Sequence, residues 1–337
     1  MNRYFIILLG VLCVSTGLRQ DLADSVFNNI ADVRTYNTDS AYTLLKNLSI
    51  TTRKDSLRYI RVWAAILEDQ GKLEEAKNLL LENISRCTSQ DTAELSESTN
   101  NLGLLYSNQG ENDSAGIYLI KSLEYRNQLG DSLKIAASLG NIGLLFSNQT
   151  NYGKAEEYLR QALNLKLKSG ASTRSLGIGY LNLGLAIGNQ GRYEEELGLY
   201  RLSLKYFQEI NDLRGVSMLY NNFGWNYHHA IYNPDSAIFY YKKAIAIRKD
   251  LKNILGTAQS MTNLAELYIK LGNQTEALKL LEESEDLAFE ADSKREIYLV
   301  ELNYARFLES IGDYQAALEK LKVAEAYEDS VINLESR

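Results

Sequence analysis

One arrangement of polar and apolar positions recurs along the chain. Asn101-Leu-Gly-Leu-Leu-Tyr106 is followed by Asn141-Ile-Gly-Leu-Leu-Phe146, Asn182-Leu-Gly-Leu-Ala-Ile187 and Asn222-Phe-Gly-Trp-Asn-Tyr227. With alanine in place of glycine it continues as Asn263-Leu-Ala-Glu-Leu-Tyr268 and Asn303-Tyr-Ala-Arg-Phe-Leu308. The leading asparagines stand 40, 41, 40, 41 and 40 residues apart. A second marker keeps step: Ala76, Ala115, Ala155, Ala237, Ala277 and Ala317, with Glu196 in the vacant slot. Two markers in phase over six copies define a repeat array.

Each copy predicts two helices. The first carries the small residue and, three positions on, an aromatic or aliphatic residue on the same face. A turn follows, often with glycine, as at Gly110, Gly191, Gly272 and Gly312. The second helix opens on Asp-Ser-Ala at Asp113 and Asp235, with the same phrase upstream at Asp39. Aspartate there can cap exposed amides and favours the helix dipole. Leu129-Gly130-Asp131 reads as a glycine stop followed directly by the next cap. The series Gly103, Gly143, Gly184, Gly224, Ala265 and Ala305 marks where the two helices of a unit approach closely, and the alanine series does the same from the second helix. No unit buries its apolar face alone, so the array is held by contacts between neighbours.

Small residues at the eighth and twentieth positions, with an aromatic or aliphatic residue at the eleventh, resemble the tetratricopeptide repeat (TPR). The resemblance covers residues 61–337, in units of about 61–100, 101–140, 141–181, 182–221, 222–262, 263–302 and 303–337. The copies exceed the usual length for that family and look like the extended repeats of kinesin light chains and spindle-orientation adaptors, which also begin Asn-Leu-Gly. The family implies an all-α fold: a right-handed superhelical solenoid of antiparallel helix pairs, here about seven repeats. Residues 18–60 keep only Asp39-Ser-Ala41 and Leu44-Leu45 and read as a degenerate N-terminal capping pair. Glu196, where alanine is expected, suggests a loosened joint in the unit from 182 to 221, and the proline that often closes a repeat is absent. After Tyr327-Glu-Asp-Ser-Val331 no polar capping helix is evident, so the array is expected to continue.

Composition narrows the function. The single proline in 337 residues suits long helices, and the 23 tyrosines suit half-buried seams. Net charge is −7, with acids and bases interspersed, and no basic stripe of the kind nucleic acid demands is present. Arg3, the apolar run Phe5–Val14 and the small residues Ser15, Thr16 and Gly17 have the pattern of a secretory signal, giving a leader over 1–17. Ten apolar residues are too few to span a bilayer. The protein is therefore expected to be exported, periplasmic or secreted, and off the membrane once cleaved; an uncleaved anchor is the alternative. Cys13 leaves with the leader, and Cys87 alone forms no internal disulfide and reads as a packing residue.

No catalytic constellation, cofactor motif or metal site is expected. The only histidines are the adjacent His228 and His229, and Gly177-Ile-Gly179 lacks the rest of a dinucleotide loop. The candidate site is instead a peptide-binding groove. The resemblance implies a concave surface lined by the first helices through positions two, five, six, nine, twelve and thirteen. Position six is the asparagine ladder Asn101, Asn141, Asn182, Asn222, Asn263 and Asn303. Position thirteen gives Asn108, Asn148 and Asn189; position nine gives Leu104, Leu144, Leu185 and Trp225; His228 and His229 take twelve and thirteen. A carboxamide both donates and accepts, the complement of a peptide bond, so the ladder can hold an extended backbone while Leu and Trp pockets give specificity. The competing role is structural, each asparagine bonding a neighbouring helix. The histidine pair is expected as partly exposed groove surface. Basic residues that grip chaperone tails are absent from a groove centre that reads as neutral, with Arg58 and Arg61 toward one end and Lys270 and Arg306 toward the other.

The expected partner is a protein or extended peptide segment. An exported adaptor or scaffold fits, as does the extracytoplasmic sensory part of a bacterial TPR sensor kinase or regulator. An enzyme is the third and least supported class.

Overall fold

The computed structural model describes residues 16–34, 37–48, 50 and 52–335, and within them the side chains of 25–328. The leader assigned to residues 1–17 lies outside them apart from its last two residues. Among the described residues there are sixteen α-helices and no strand, and no helix is long and apolar enough to cross a membrane. They fall into two compact units, residues 1–105 and 106–337.

The first unit contains α1 (Thr16–Arg34), α2 (Thr38–Lys46), α3 (Arg53–Asp69), α4 (Leu73–Arg86) and the start of α5 (Thr92–Asn108), which runs past the boundary. Phe27, Ile30, Ala41, Leu45 and Ile66 form its core, so the segment expected to be a degenerate cap is a packed helix pair. Arg61, which stands in the ladder's place, pairs with Glu94 at 2.7 Å, and Glu94 also accepts from Asn83. Cys87 is half-buried, and burial pushes its thiol up to about 11, so it stays protonated and unreactive at neutral pH.

The second unit contains α6 (Asn112–Leu129), α7 (Ser132–Asn148), α8 (Tyr152–Lys168), α9 (Thr173–Gly188), α10 (Tyr193–Glu209), α11 (Leu213–His229), α12 (Pro234–Asp250), α13 (Ile254–Lys270), α14 (Gln274–Glu290), α15 (Lys294–Ser310) and α16 (Tyr314–Glu335). From α6 to α16 consecutive helices pack on one another, and the first helices also touch at the next repeat, α7 on α9, α11 on α13 and α13 on α15. The first helices therefore line one side of the unit.

The close approach falls at the small residues. A Cβ on Gly143 would lie 2.7 Å from Leu159 Cγ, on Gly184 2.9 Å from Tyr200 Cε1, and on Gly224 2.5 Å from Tyr241 Cδ1. The side chain that presses there comes from the second helix, four residues after the marker alanine. Leu159, Tyr200, Tyr241 and Leu281 hold that place, all buried. A half-buried aromatic seam runs beside it, with Tyr106 stacked on Tyr118 and Phe146 on Tyr158 at centroid distances of 5.6 and 5.5 Å.

Local signals differ in one respect from expectation. Gly110, Gly191, Gly272 and Gly312 turn the chain with φ between 72° and 84°, and Gly130 stops α6 with Asp131 capping α7. The aspartates of Asp-Ser-Ala, however, sit inside the first turn. Asn37 and Asn233 take the cap itself, accepting from Ser40 N and Ser236 N, and Glu111 before α6 makes no side-chain cap. Asp39, Asp113 and Asp235 thus act on the helix dipole alone.

Glu196 does not loosen its joint. It is 4% exposed and accepts from Tyr200 Oη and Asn226 Nδ2, both at 2.5 Å. Its carboxylate occupies the space where a Cβ on Gly188 would be. Burial raises its pKa, while the two donors pull it down. In the preceding unit the same two places are Ser147 and Ala155. A glutamate has moved into the joint, and a glycine makes room for it. Gly188→Ser should overpack the site, at about 1–3 kcal/mol. Glu196→Ala should strand the Tyr200 hydroxyl and the Asn226 amide, costing about 1–3 kcal/mol. The double variant restores the neighbouring unit's pair and should recover at least ~1 kcal/mol of the summed loss. Denaturant melts of the four proteins check this; additive losses would dissolve the pairing.

Candidate functional site

Three adjoining cavities open along the first helices of the second unit. The largest, about 560 Å³, lies among α9, α11 and α13 and is lined by Ile178, Leu181, Leu185, Met218, Asn221 and Asn222 among others. A second of about 290 Å³ is bounded by Leu185, Asn189, Tyr193, Glu196, Asn222 and Trp225. A third of about 380 Å³ lies among α11, α13 and α15, with Asn222, Trp225, Gln259, Asn263, Leu299 and Asn303 on its walls. Asn222 belongs to all three and Trp225 to the last two, so together they form one groove centred on α11. Trp225 is 44% exposed, with its indole 5.0 Å from the His229 ring.

The ladder asparagines do not share one environment. Asn182 is half-buried and makes no hydrogen bond among the described residues; Asn222 lies against the Tyr200 hydroxyl. Asn263 Nδ2 donates to Asn221 Oδ1 on α11 at 3.4 Å, and Asn303 is buried, bonded to Leu299 O of its own helix at 3.1 Å. Asn141 is half-buried; Asn108, Asn148 and Asn189 are exposed, Asn189 donating to Leu185 O. In the first unit Asn101 accepts a long 3.5 Å bond from Asn100. The structural role foreseen for the ladder thus occurs at Asn263 and Asn303.

Position five carries a structural asparagine that the sequence pattern did not single out. Asn221 is buried, and its Oδ1 accepts from Ser260 Oγ at 2.9 Å as well as from Asn263, tying α11 to α13. Its signal was visible as the double asparagine Asn221-Asn222, a face-to-core pair one residue apart.

His228 is not groove surface. It is 2% exposed, its ring stacks on His229 with centroids 3.8 Å apart, and Lys270 Nζ lies 3.1 Å from its Nε2. Burial first, then His229 and Lys270, holds its pKa down at about 4, so it is neutral at pH 7 and accepts from the lysine. His229 remains at the surface. His228, His229 and Glu266 bring potential ligand atoms within 4.8 Å of one another, but Lys270, bonded to Glu266 at 2.8 Å, already supplies the cation there.

The groove centre is not neutral either. Arg174, Arg214 and Arg248 line the largest cavity with Asp212 as the only acid. They were missed because none lies at a ladder position; Arg248 comes from the end of a second helix.

This geometry, paired helices in register with first helices along one side, defines a tetratricopeptide-repeat protein. Residues 94–168 match the tetratricopeptide repeat model and residues 202–337 match the SusR N-terminal TPR domain. No curated protein matches the chain. Similar solved structures include a Rap protein complexed with Competence and Sporulation Factor, at TM-score 0.66 and 14% identity over 93% of this chain and 99% of that one. NprR in complex with its cognate peptide NprX gives TM-score 0.63 and 18% identity over 95% and 100%. A signal transduction ATPase with a tetratricopeptide repeat sensor from Pyrococcus horikoshii gives TM-score 0.73 and 18% identity over 95% of this chain and 49% of that one. At these identities the likeness is one of fold.

The two classes of asparagine separate in a melt. Asn221→Ala leaves buried donors unmatched and should cost about 1–3 kcal/mol of stability, whereas Asn182→Ala should stay within ~0.5 kcal/mol of the parent. Equal losses from both would mean that Asn182 is structural as well.

Proposed function

We propose that this chain is an exported TPR adaptor or scaffold that holds a protein or extended peptide segment in the groove centred on α11. The observation that carries this is the continuity of the three cavities through Asn222 and Trp225. An indole at a groove centre, half out of contact with its own chain, is an anchor looking for a partner, since aromatic side chains in desolvated pockets dominate interfaces. Asn182 and Asn222 keep hydrogen-bonding capacity that a backbone can use. NprR in complex with its cognate peptide NprX has this fold, which supports the same kind of ligand here. The fold is a scaffold, and no enzymatic role is assigned to it.

A sensory or regulatory role for the same groove is favoured by one observation, the likeness of fold to the signal transduction ATPase with a tetratricopeptide repeat sensor. In that reading the array is the input module of a signalling protein. A hydrophobic segment encoded downstream in the same gene would favour it.

Capture from an envelope extract supplies the partner, followed by titration of variants. Asn182→Ala and Asn222→Ala should each lose about 0.5–1.5 kcal/mol of binding, and Trp225→Ala more than either. A stably folded triple variant with undiminished affinity would move the site to the other face of the array.

Export rests on the apolar run Phe5–Val14. Protein recovered from the envelope fraction should begin near Leu18 on N-terminal sequencing; a start at Met1 would refute the cleaved leader.

A further inference from the structure

Three departures from the repeat pattern meet at one point between α11 and α13. Where His228 stands, other units carry Ser147, Gly188 and Ile269. His229 stands where they have Asn148 and Asn189, and Glu266 where they have Leu144 and Leu185. The repeat therefore needs none of the three for its packing. Adjacent residues on a helix ordinarily diverge by about 100°. Here the two imidazoles stack, with centroids 3.8 Å apart and a tilt of 29°, so both turn toward α13. Nε2 of His228 meets Lys270 there, and Nε2 of His229 lies 3.9 Å from Glu266 Oε2.

The lysine marks the centre of the cluster. Its Nζ lies 3.1 Å from His228 Nε2 and 2.8 Å from Glu266 Oε1. An ammonium only donates, so the atoms turned toward it offer lone pairs, the same groups that ligate a metal ion. One potential ligand atom from each of His228, His229 and Glu266 lies within 4.8 Å of the other two. His228 is 2% exposed, and its Nδ1 is buried without a hydrogen-bond partner. That leaves the lysine as the ring's hydrogen-bond partner among the described residues, a poor return for burying an imidazole where a serine or glycine suffices. Lys270 itself is long and its side chain 45% exposed, free to swing into water.

We propose that His228, His229 and Glu266 form a zinc site in which the metal displaces the Lys270 ammonium. Two imidazoles and a carboxylate are a ligand set that zinc accepts, with the fourth position left to water. Zinc bonds are shorter than the present contacts, so the ligands move inward by about an ångström. His229 at the surface and Glu266 at the edge of the third cavity permit that movement, and the cavity gives the ion a way in. Two ligands come from α11 and one from α13, so the bound metal ties one repeat to the next. The site stands whether or not the groove holds a peptide.

The test is calorimetric titration of the untagged full-length protein with Zn²⁺, and with Co²⁺ followed by absorption. One ion per chain should bind, and Co²⁺ should show the d–d bands of nitrogen and oxygen ligation without a thiolate charge-transfer band. His229→Gln and Glu266→Gln, neither at a fully buried position, should each weaken binding by at least about 10–100-fold, the loss that even an outer partner of a ligand causes. Lys270→Met should bind zinc at least about tenfold more tightly, since the metal no longer has to break a charged hydrogen bond. Zinc should raise the melting temperature of the parent and leave that of His229→Gln unchanged. Absence of saturable binding, a thiolate band, or binding that survives both His229→Gln and Glu266→Gln would overturn the site. Unchanged or weaker affinity in Lys270→Met would overturn it too, because the ammonium would then be the cation the cluster is built for.

Discussion

The second unit depends on how near two helices of one repeat can come. At Gly184 and Gly224 the space a Cβ would need is taken by the rings of Tyr200 and Tyr241, both fully buried. Where the first helix has Ala265 the second supplies only Leu281. Between these joints the two contributors trade size, though Gly143 faces only Leu159, so the exchange is not strict along the array. Every later feature follows from that distance. It sets which face of the first helix is buried, and hence that positions two, five, six and nine are left to line a groove.

Periodicity made the architecture legible because helix pairs contact only their neighbours, so each repeat is a separate reading of the same constraint. The glycine turns, the stop at Gly130 and the cap at Asp131 were equally local. Glu196 was misread for a physical reason. Taken alone, a carboxylate in an alanine slot means disruption. Taken with Gly188, where the preceding unit has Ser147, it means an exchange of volume between two helices, completed by hydrogen bonds from Tyr200 and Asn226. A deviation at one marker position had to be read with a deviation at another in the same unit.

The groove was legible in part. Position six was visible as a column of asparagines, but a column in sequence says nothing of which rungs are already engaged. Asn263 is tied to Asn221, and Asn303 to its own helix, while Asn182 makes no hydrogen bond among the described residues. His228 escaped because its burial depends on Tyr241 from the second helix and Lys270 from the next first helix, 42 residues on. Arg248 escaped because groove positions were counted on first helices only. Charges delivered from the end of a second helix need the three-dimensional joint to be seen.

Carboxamides and arginines divide the work of recognition differently. An amide that meets a peptide bond gains little from one sequence over another, since every backbone offers the same groups. A column of them confers affinity and leaves the segment free to slide by one residue. An aromatic wall discriminates by shape, but weakly, at the level of a methylene or two. A buried guanidinium discriminates by penalty: a group that cannot meet its charge gains nothing for the desolvation it brings to a low-dielectric site. Because Arg248 is fixed by Gly256 O and Ser260 Oγ, the charge is held at one point along the groove. That clasp joins α12 to α13, so the charge sits at a contact that holds two repeats together.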